Sequence, residues 1–272
     1  MCPLSANYAL GSAEPEQQRL IRQAVRFTPY TEGFLRDAGI REGDRVLDVG
    51  SGLGDVSFAV ARLVTYRGQV VGLERDASAI EAARTRATSL GMTNIRFVEG
   101  DLTTHEITGQ FDAVVGRFIL AFVPDVVGVV RRLATLLQPG GTMAFQEAAF
   151  DITLGPVTRL PLFYACRAAT TDALLRAKAS PQIGASLYQI FQAAGLPVPR
   201  MRCDFEINAS PNLVRWSCDI LVSVLRGLNE SGAAYPELGP LETLPQRLYE
   251  EVHMANDCVH SFAIMGAWSQ KP

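Results

Sequence analysis

Three glycines in five residues separate an apolar run from a helical pattern early in the chain. The apolar run DRVLDVG (44–50) predicts a buried strand, and DVSFAVARLV (55–64) repeats its apolar residues at helical spacing. Gly50, Gly52 and Gly54 have no Cβ atom, so a ligand can lie directly against the backbone that joins the two elements. A strand, a glycine turn and a helix in this order predict the first unit of a parallel α/β sheet.

The alternation of strand and helix patterns continues to residue 150. Apolar strands separated by short helices indicate βαβ units, and therefore a Rossmann-like, doubly wound α/β sheet with helices on both faces. Residues 14–38 have two helical stretches on either side of Pro29, and Gly39 is expected to end the second. Further strands are predicted at 68–74, 95–101, 111–118 and 142–150, helices at 76–91 and about 125–137, and a turn at QPGG (138–141).

After residue 150 the regular alternation stops, which divides the predicted organisation into three parts. We expect an N-terminal helical cap at 1–40, a ligand-binding core at 41–150, and the rest of the core at 151–272. The last part is predicted to contain a helix at 186–196, strands at 201–208 and 262–270, and two insertions, 151–183 and 209–261. Because long segments inside a domain usually serve a function, we expect both insertions to form lids over the carboxyl ends of the strands.

The composition argues against several classes of protein. The chain has 272 residues and a net charge of -3, so no basic surface indicates nucleic-acid binding. Its five cysteines include no C-x-x-C pair, and its acids form no cluster with asparagine, so we expect no metal site. No apolar run is long enough to span a bilayer and no signal-peptide pattern is present, which favours a cytoplasmic protein away from membranes.

Acidic residues at the predicted strand ends select among the ligands that a glycine turn can bind. Asp48 and Asp55 flank the turn, where negative charge repels a pyrophosphate and attracts an ammonium or sulfonium group. Glu74, at the end of the second strand, is placed to accept hydrogen bonds from ribose hydroxyls, and Asp101, at the end of the third, from an adenine amine. Ribose, adenine and a cationic amino acid together describe S-adenosylmethionine.

The main alternative for a glycine turn is a nicotinamide-dependent dehydrogenase. That class needs G-x-G-x-x-G, whereas this turn reads G-S-G-L-G-D. A short-chain dehydrogenase also needs Tyr-x-x-x-Lys, and the chain's two lysines, Lys178 and Lys271, do not follow a tyrosine at that spacing. The sequence therefore favours S-adenosylmethionine over a nicotinamide cofactor.

Five motifs, in this order and spacing, resemble those of the class I S-adenosylmethionine-dependent methyltransferases: VLDVGSGLGD, GLERD, VEGDL, FDAVVGRF and LQPGGTMAFQE. The resemblance covers residues 16–150 and is strongest to ubiquinone/menaquinone methyltransferases and to small-molecule methyltransferases of natural-product biosynthesis. It implies a seven-stranded, mostly parallel sheet with an antiparallel last strand. It also implies S-adenosylmethionine as cofactor and transfer of a methyl group to nitrogen, oxygen or carbon of a small molecule.

The same resemblance assigns cofactor contacts to residues at the strand ends and in the N-terminal helix. Gly50, Ser51, Gly52 and Gly54 would contact the methionine moiety, with Asp48 holding its amino group. The ribose would be bound by Glu74, and the adenine lined by Arg75, Asp101 and Leu102. The backbone near Arg117 and Phe118 would lie beside the sulfonium, and Tyr8 and Gln23 would close over the cofactor.

Methyl transfer to a phenol, an alcohol or a C–H acid also requires removal of a proton, so we looked for a base. Glu147, at the end of the fifth strand, is a candidate base or could orient an acceptor amine; its structural alternative is pairing with an arginine of a lid. His253 and His260 would share a helix face if the helix continues through both, although such a pair can also be purely structural. Arg117 is a fourth catalytic candidate that could equally pair with any acid, and His105 is expected to be solvated.

The acceptor class follows from the predicted lids. They carry few charges and several aromatic residues, which favours a small hydrophobic or aromatic acceptor from specialised metabolism. The alternative is a protein of the same fold that binds S-adenosylmethionine or another ligand but catalyses a non-methylating reaction. An apolar lid surface is also compatible with a homodimer.

Overall fold

The computed structural model of the protein describes residues 14–150, 152, 159–228, 230 and 234–272. Its strands are β1 (Arg45–Val49), β2 (Gln69–Glu74), β3 (Ile95–Glu99), β4 (Phe111–Arg117), β5 (Leu137–Ala149), β6 (Arg200–Asp204), β7 (Ile207–Asn208), β8 (Val259–His260) and β9 (Ala263–Gln270). Its helices are α1 (Glu14–Asp37), α2 (Asp55–Val64), α3 (Ala77–Ser89), α4 (Val126–Thr135), α5 (Pro161–Arg176), α6 (Leu187–Ala193), α7 (Pro211–Gly227) and α8 (Leu244–Met254).

Seven strands form one sheet in the order β3-β2-β1-β4-β5-β9-β6. β1 pairs in parallel with β2 and β4, β2 with β3, and β4 with β5, whereas β9 runs antiparallel to β6. This confirms the predicted seven-stranded, mostly parallel sheet with an antiparallel last strand. Because the strand order reverses between β1 and β4, the carboxyl ends of these two strands flank the crevice where such sheets bind ligands.

The central strands are buried on both faces, as a parallel sheet requires. In β1, Leu47 and Val49 belong to an apolar cluster that also contains residues of α4 and α6. Val46, which points to the opposite face, belongs to a second cluster with residues of α1 and α2. Packing on both faces therefore fixes β1, and with it the start of the glycine turn.

The prediction that Pro29 separates two helical stretches is wrong, because α1 is one helix with Pro29 inside it. Proline has no N–H to donate to the carbonyl four residues earlier, which normally weakens a helix. Here, however, Phe27 and Thr31 on one side of the helix are both buried, and Phe34 is buried in the next turn. Tertiary packing before and after Pro29 outweighs the loss of one hydrogen bond.

Two other predicted elements differ from those observed. The predicted QPGG turn lies inside β5, where it produces a shift in the pairing with β4 between Phe111 and Ala113. The predicted single strand 201–208 is two strands: β6 belongs to the main sheet, and β7 pairs with β8 in a separate two-stranded sheet. Hydrophobic alternation alone does not report which neighbour a strand pairs with.

Backbone packing divides the chain into two units. The sheet unit consists of Leu20–Ala148, Ile183–Asp204 and Ile264–Pro272, and the helical unit of Met1–Arg19, Ala149–Gln182 and Phe205–Ala263, as far as these are described. Within the helical unit, the Glu251 carboxylate of α8 accepts the N–H groups of Leu162 and Phe163 at 2.7 and 2.9 Å and so caps α5. None of the described helices is long and apolar enough to cross a membrane.

Replacing Phe145 tests the core beneath the ligand-binding edge. Phe145 is fully buried in β5 and contacts the Phe191 ring edge-to-face with 6.4 Å between centroids. We expect Phe145→Ala to lower the free energy of unfolding by about 3–5 kcal/mol, because it leaves a cavity. Val25→Ala, at a position 75% exposed on α1, should change it by less than about 0.5 kcal/mol. Urea unfolding curves measure both, and equal losses would contradict this assignment of the core.

Candidate active site

The turn between β1 and α2 has a left-handed backbone at all three glycines. φ is 68° at Gly50, 51° at Gly52 and 87° at Gly54. A Cβ atom on Gly54 would lie 2.7 Å from the Phe58 ring, whereas one on Gly52 would meet no described atom within 4 Å. The turn is therefore packed on one side at Gly54 and open at Gly52, which is the geometry that a ligand resting on the backbone needs.

Glu74, at the carboxyl end of β2, connects its own strand end to the glycine turn. Its Oε2 accepts the Gly52 N–H at 2.9 Å, and its Oε1 accepts the N–H groups of Arg75 and Asp76 at 2.8 and 3.0 Å. Each carboxylate oxygen has two lone pairs, so Oε2 keeps one lone pair with which to accept a ribose hydroxyl, whereas both lone pairs of Oε1 are used. The side chain is thus fixed beside the open backbone, where the predicted ribose contact requires it.

Asp48 is a buried carboxyl group at the end of β1, only 1% exposed. Its Oδ2 accepts the Ser57 hydroxyl of α2 at 2.6 Å, and its Oδ1 has no hydrogen-bond partner among the described residues. Burial raises the pKa of Asp48 to about 7, against the opposing effects of the Ser57 hydrogen bond and the Arg117 charge. An ammonium group beside Oδ1 would stabilise the ionised carboxylate.

Asp101 and Arg75 face each other at the ends of β3 and β2, with 3.9 Å between Asp101 Oδ2 and an Arg75 nitrogen. Asp101 Oδ1 accepts the Thr103 N–H at 2.7 Å and the Thr103 hydroxyl. Partial burial acts to raise the pKa of Asp101, but the Thr103 hydrogen bonds and the charges of Arg75 and Arg132 outweigh it, so the pKa lies below its ordinary value. The carboxylate is therefore ionised at neutral pH, and Oδ2 is the oxygen that faces solvent-exposed Arg75. Leu102, the next residue, is buried.

A hydrogen-bond chain links α1 to the ends of β4 and β5. Arg117 donates to the Thr31 hydroxyl at 2.9 Å, and Thr31 donates to Gln146 Oε1 at 2.7 Å. Burial lowers the pKa of Arg117, although Asp55 and Asp48 act in the opposite direction. After Arg117 the chain turns at Phe118, whose φ is 56° and whose ring packs edge-to-face on Phe27 with 5.7 Å between centroids. Gln23 lies half-buried on α1, four residues before Phe27.

Glu147 is fully buried and holds the backbone of the segment that follows β4. Its Oε1 accepts the N–H groups of Ile119 and Leu120, each at 2.9 Å, and its Oε2 has no hydrogen-bond partner among the described residues. Burial raises the pKa of Glu147 to about 7, against these backbone hydrogen bonds. Among the described residues the carboxylate therefore bonds to the backbone of residues 119–120, and not to the arginine considered as its structural alternative.

Several buried polar atoms of the described residues lack a partner, and some of them lie at or next to the carboxyl ends of β1 and β5. In the described part of the chain they include Asp48 Oδ1, Ser51 Oγ and Gln146 Nε2. Asp48 and Gln146 point to the same face of the sheet, because Val115 of β4 is in register with both Asp48 and Ala144. Buried polar groups are normally paired. A ligand that has both an ammonium and a carboxylate group, as the methionine end of S-adenosylmethionine does, fits acceptors and donors of this kind.

The two candidate histidines belong to the helical unit and do not share a helix face, because α8 ends at Met254 and His260 lies in β8. His253 is exposed and stacks on Tyr249 with 6.2 Å between ring centroids. His260 is 2% exposed, and its Nδ1 lies 2.7 Å from the Ser261 carbonyl oxygen. Burial lowers the pKa of His260, against the effect of this hydrogen bond. His105 is half-buried in the loop after β3, and Tyr8 lies outside the described residues.

Comparison with known proteins identifies the family of this chain. The model of the family described as "Methyltransferase domain" matches residues 40–195, more than half of the chain. The chain belongs to the methyltransferase-domain family. Together with its relatives this places it among the class I S-adenosylmethionine-dependent methyltransferases, as its motifs predict, and S-adenosylmethionine is the cofactor of that family.

Two curated relatives and one solved structure illustrate the similarity. The chain is 36% identical over 125 residues to aklanonic acid methyltransferase DauC of Streptomyces sp. strain C5, covering 46% of this chain and 57% of that protein. It is 33% identical over 132 residues to the ubiquinone/menaquinone biosynthesis C-methyltransferase UbiE of Haemophilus ducreyi, covering 47% of this chain and 49% of that protein. Its fold matches that of the [4+2]-cyclase SpnF with a TM-score of 0.52 at 20% identity, covering 90% of this chain and 81% of that structure. The chain thus spans about half the length of the curated relatives.

Sequence reasoning missed the polar residues that support the site from the helices. Ser57 of α2 and Thr31 of α1 are both buried, and the buried residues of their helices are otherwise mainly apolar. A hydroxyl residue within an apolar helical stripe is the signal that could have found both, because such a residue needs a partner in the core. Gln146 shows no comparable signal, since it follows directly on an apolar strand pattern.

Substitution of Gly52 tests the open backbone surface. Asparagine tolerates a left-handed conformation, so Gly52→Asn should keep the turn while its side chain occupies the space above it. We expect the affinity for S-adenosylhomocysteine, measured by titration calorimetry, to fall about tenfold or more. Gly91→Asn is the matched control, because Gly91 also has a positive φ (65°) and no described atom within 4 Å of its Cβ position. Unchanged affinity in Gly52→Asn would contradict the placement of the ligand.

The raised pKa of Glu147 predicts a pH-dependent stability. The folded protein holds the Glu147 proton more tightly (pKa about 7) than the unfolded chain does (ordinary value 4.5), so this group's contribution to stability is lost as pH rises between those values. Glu147→Gln removes the titration but keeps an acceptor for the two N–H groups. Relative to wild type, the variant should therefore gain on the order of 1–3 kcal/mol of stability between pH 5 and pH 8. The free energies of unfolding of both proteins are measured by denaturant unfolding at each pH. A difference between variant and wild type that stays constant with pH would contradict this prediction.

Proposed function

We propose that this protein transfers a methyl group from S-adenosylmethionine to a small-molecule acceptor. The observation that carries the proposal is the open backbone at Gly52, whose N–H is held by Glu74 at 2.9 Å, beside the buried and partly unpaired Asp48 carboxyl. A cationic amino acid joined to a ribose satisfies both acids at once, whereas a pyrophosphate satisfies neither.

In this proposal the cofactor-binding residues keep the roles that the family resemblance implies. The methionine moiety lies on Gly50–Gly54, with Asp48 and Ser51 toward its amino-acid end, and the backbone near Arg117 and Phe118 lies beside the sulfonium. Glu74 accepts from the ribose, and Arg75, Asp101 and Leu102 frame the adenine. Gln23 and Tyr8 of the N-terminal region complete the enclosure.

S-adenosylmethionine supplies a methyl group that is already activated by a positively charged sulfur. The protein therefore needs to hold the acceptor atom in line with the methyl group, which is an effect of proximity and orientation. Glu147 acts here by fixing the N–H groups of Ile119 and Leu120, and with them the segment after Arg117 and Phe118. The Arg117–Thr31–Gln146 chain fixes the same strand ends from α1.

The aromatic residues of the helical unit support a hydrophobic or aromatic acceptor. The rings of Phe150, Phe262 and Trp216 form one group, with centroids 4.7 and 5.1 Å apart. The rings of Phe163 and Phe205 lie 5.8 and 6.2 Å from that of His260 in another. One relative is named as an aklanonic acid methyltransferase and another as a ubiquinone/menaquinone biosynthesis C-methyltransferase. We extend to this chain a small acceptor of specialised metabolism.

We further propose that His260 receives the acceptor's proton. Its Nδ1 donates to the Ser261 carbonyl, because a carbonyl oxygen can only accept a hydrogen bond. Burial lowers the pKa of His260, so the ring is neutral at pH 7 and able to accept a proton.

A cytoplasmic location for the enzyme is consistent with its cysteines. The described cysteines are free thiols: Cys166, Cys203, Cys218 and Cys258.

The reaction is tested by incubation with methyl-labelled S-adenosylmethionine and a set of aromatic phenols, carboxylic acids and amines. We expect one class to gain the mass of one methyl group while S-adenosylhomocysteine accumulates. Binding of S-adenosylmethionine without transfer to any acceptor would instead favour the non-methylating alternative.

Replacing His260 then tests the base. His260→Asn keeps a donor near the Nδ1 position and removes Nε2, so we expect kcat to fall about 100-fold or more with unchanged affinity for S-adenosylmethionine. His253→Asn, at the exposed histidine, is the control and should retain kcat. If His260→Asn keeps full turnover on a phenol or C–H acid, His260 is not the base.

A further inference from the structure

Arg86, near the end of α3, binds the glycine turn from outside the predicted ligand contacts. One guanidinium nitrogen donates to the Leu53 carbonyl oxygen at 2.6 Å, and the other donates to Asp55 Oδ1 at 2.6 Å. The guanidinium carbon lies 5.0 Å from the centroid of the Phe58 ring. These contacts join α3 to the last residues of the turn and to the first turn of α2.

The same segment of chain holds the turn at two neighbouring residues, Gly52 and Leu53. Glu74 accepts the N–H of Gly52, and Arg86 donates to the C=O of Leu53. Helix α3 connects the two, and its start is fixed because Asp76 Oδ1 accepts the Ser78 N–H at 2.8 Å. The conformation of the turn is therefore set by a rigid element that begins at the proposed ribose-binding acid.

Arg86 also changes the electrostatics expected from the sequence. Asp55 was expected to add negative charge to the ligand surface, but its carboxylate pairs with Arg86, and the two side chains are only 15% and 28% exposed. The charge of Asp55 is thus largely neutralised by its partner. Of the two acids that flank the turn, Asp48 is the one with a fully buried oxygen that lacks a partner among the described residues.

We propose that Arg86 is a positioning residue for cofactor binding, which holds the glycine turn in its ligand-ready conformation without contacting the ligand. The inference rests on the proposed placement of S-adenosylmethionine at this turn. Three glycines within five residues have high backbone entropy when unrestrained, and binding must overcome it. An interaction that restrains the turn before binding therefore raises affinity by preorganisation.

The test compares Arg86→Gln and Arg86→Lys with Arg84→Gln. Arg84 lies two residues earlier on α3 and donates to the Phe97 carbonyl oxygen at 3.0 Å. Arg84→Gln is the control because it removes a similar hydrogen bond from a guanidinium group to a carbonyl oxygen that is not in the glycine turn. Affinity for S-adenosylhomocysteine is measured by calorimetry, and amide hydrogen exchange of residues 50–57 is measured without ligand. Exchange in the central strands reports any general loss of stability.

We expect Arg86→Gln to weaken binding about tenfold and to speed exchange at 50–57 while the central strands stay protected. Arg84→Gln should bind like wild type. Arg86→Lys should recover part of the affinity, because a lysine carries the charge but cannot make both hydrogen bonds and stack on Phe58. If Arg86→Gln does not fold, the affinity and the amide exchange of Arg86→Lys are compared with those of wild type to test the role of Arg86.

Three results would overturn the inference. If Arg86→Gln binds S-adenosylhomocysteine with wild-type affinity, the contacts of Arg86 do not position the turn. The same conclusion follows if Arg86→Lys has both wild-type affinity and wild-type amide exchange at residues 50–57. Equal weakening in Arg84→Gln would show a general effect of α3. Gly52→Asn distinguishes a failure of the ligand placement from a failure of the role of Arg86. If Gly52→Asn still binds S-adenosylhomocysteine like wild type, the placement of the ligand at the turn is wrong. If Gly52→Asn loses binding but the Arg86 variants bind like wild type, only the role of Arg86 is wrong.

Discussion

The hydrogen bond from the Gly52 N–H to the Glu74 carboxylate connects the two parts of the site on which everything else depends. It joins the turn after β1 to the end of β2, at 2.9 Å, and leaves the upper side of the turn open. Parallel pairing of β1 with β2 and β4 brings these strand ends to one edge of the sheet. Without that register, the glycines would form an ordinary turn and the carboxylate an ordinary exposed strand end.

Two buried carboxyl groups give this edge its chemical character. Asp48 and Glu147 each use one oxygen in hydrogen bonds and keep the other without a partner among the described residues. Burial raises the pKa of both to about 7. Their settings nevertheless differ, because Asp48 faces α2 beside the open turn, whereas Glu147 accepts backbone N–H groups of the segment after β4. The first is suited to a cationic ligand and the second to holding a loop in place.

Much of the sheet and of the cofactor site could be predicted from the sequence, because both depend on local patterns. Helix α2 has the predicted bounds, since Gly54 and the apolar spacing mark them in the sequence itself. Gly52, Glu74 and Asp101 follow from the ends of predicted strands. The continuity of α1 through Pro29, in contrast, depends on residues packed against it from distant parts of the chain, and the division of 201–208 between two sheets depends on its partners β9 and β8.

The supporting residues were the least predictable. Arg86 is separated from Leu53 by 33 residues and Thr31 from Gln146 by 115, so no local pattern relates them. The proposed acceptor side, around His260, is equally non-local. Its ring contacts come from α5 and from the chain before β7, and α8 ends before His260, so a helical spacing argument could not place it.

The most direct measurement of the central claim is a crystal structure of the protein with S-adenosylhomocysteine. We expect electron density for the amino-acid end above Gly50–Gly54 near Asp48, a ribose hydroxyl within hydrogen-bond distance of Glu74, and the adenine amine near Asp101. Density for the ligand at another place on the protein, or a glycine turn left empty at saturating ligand, would contradict it.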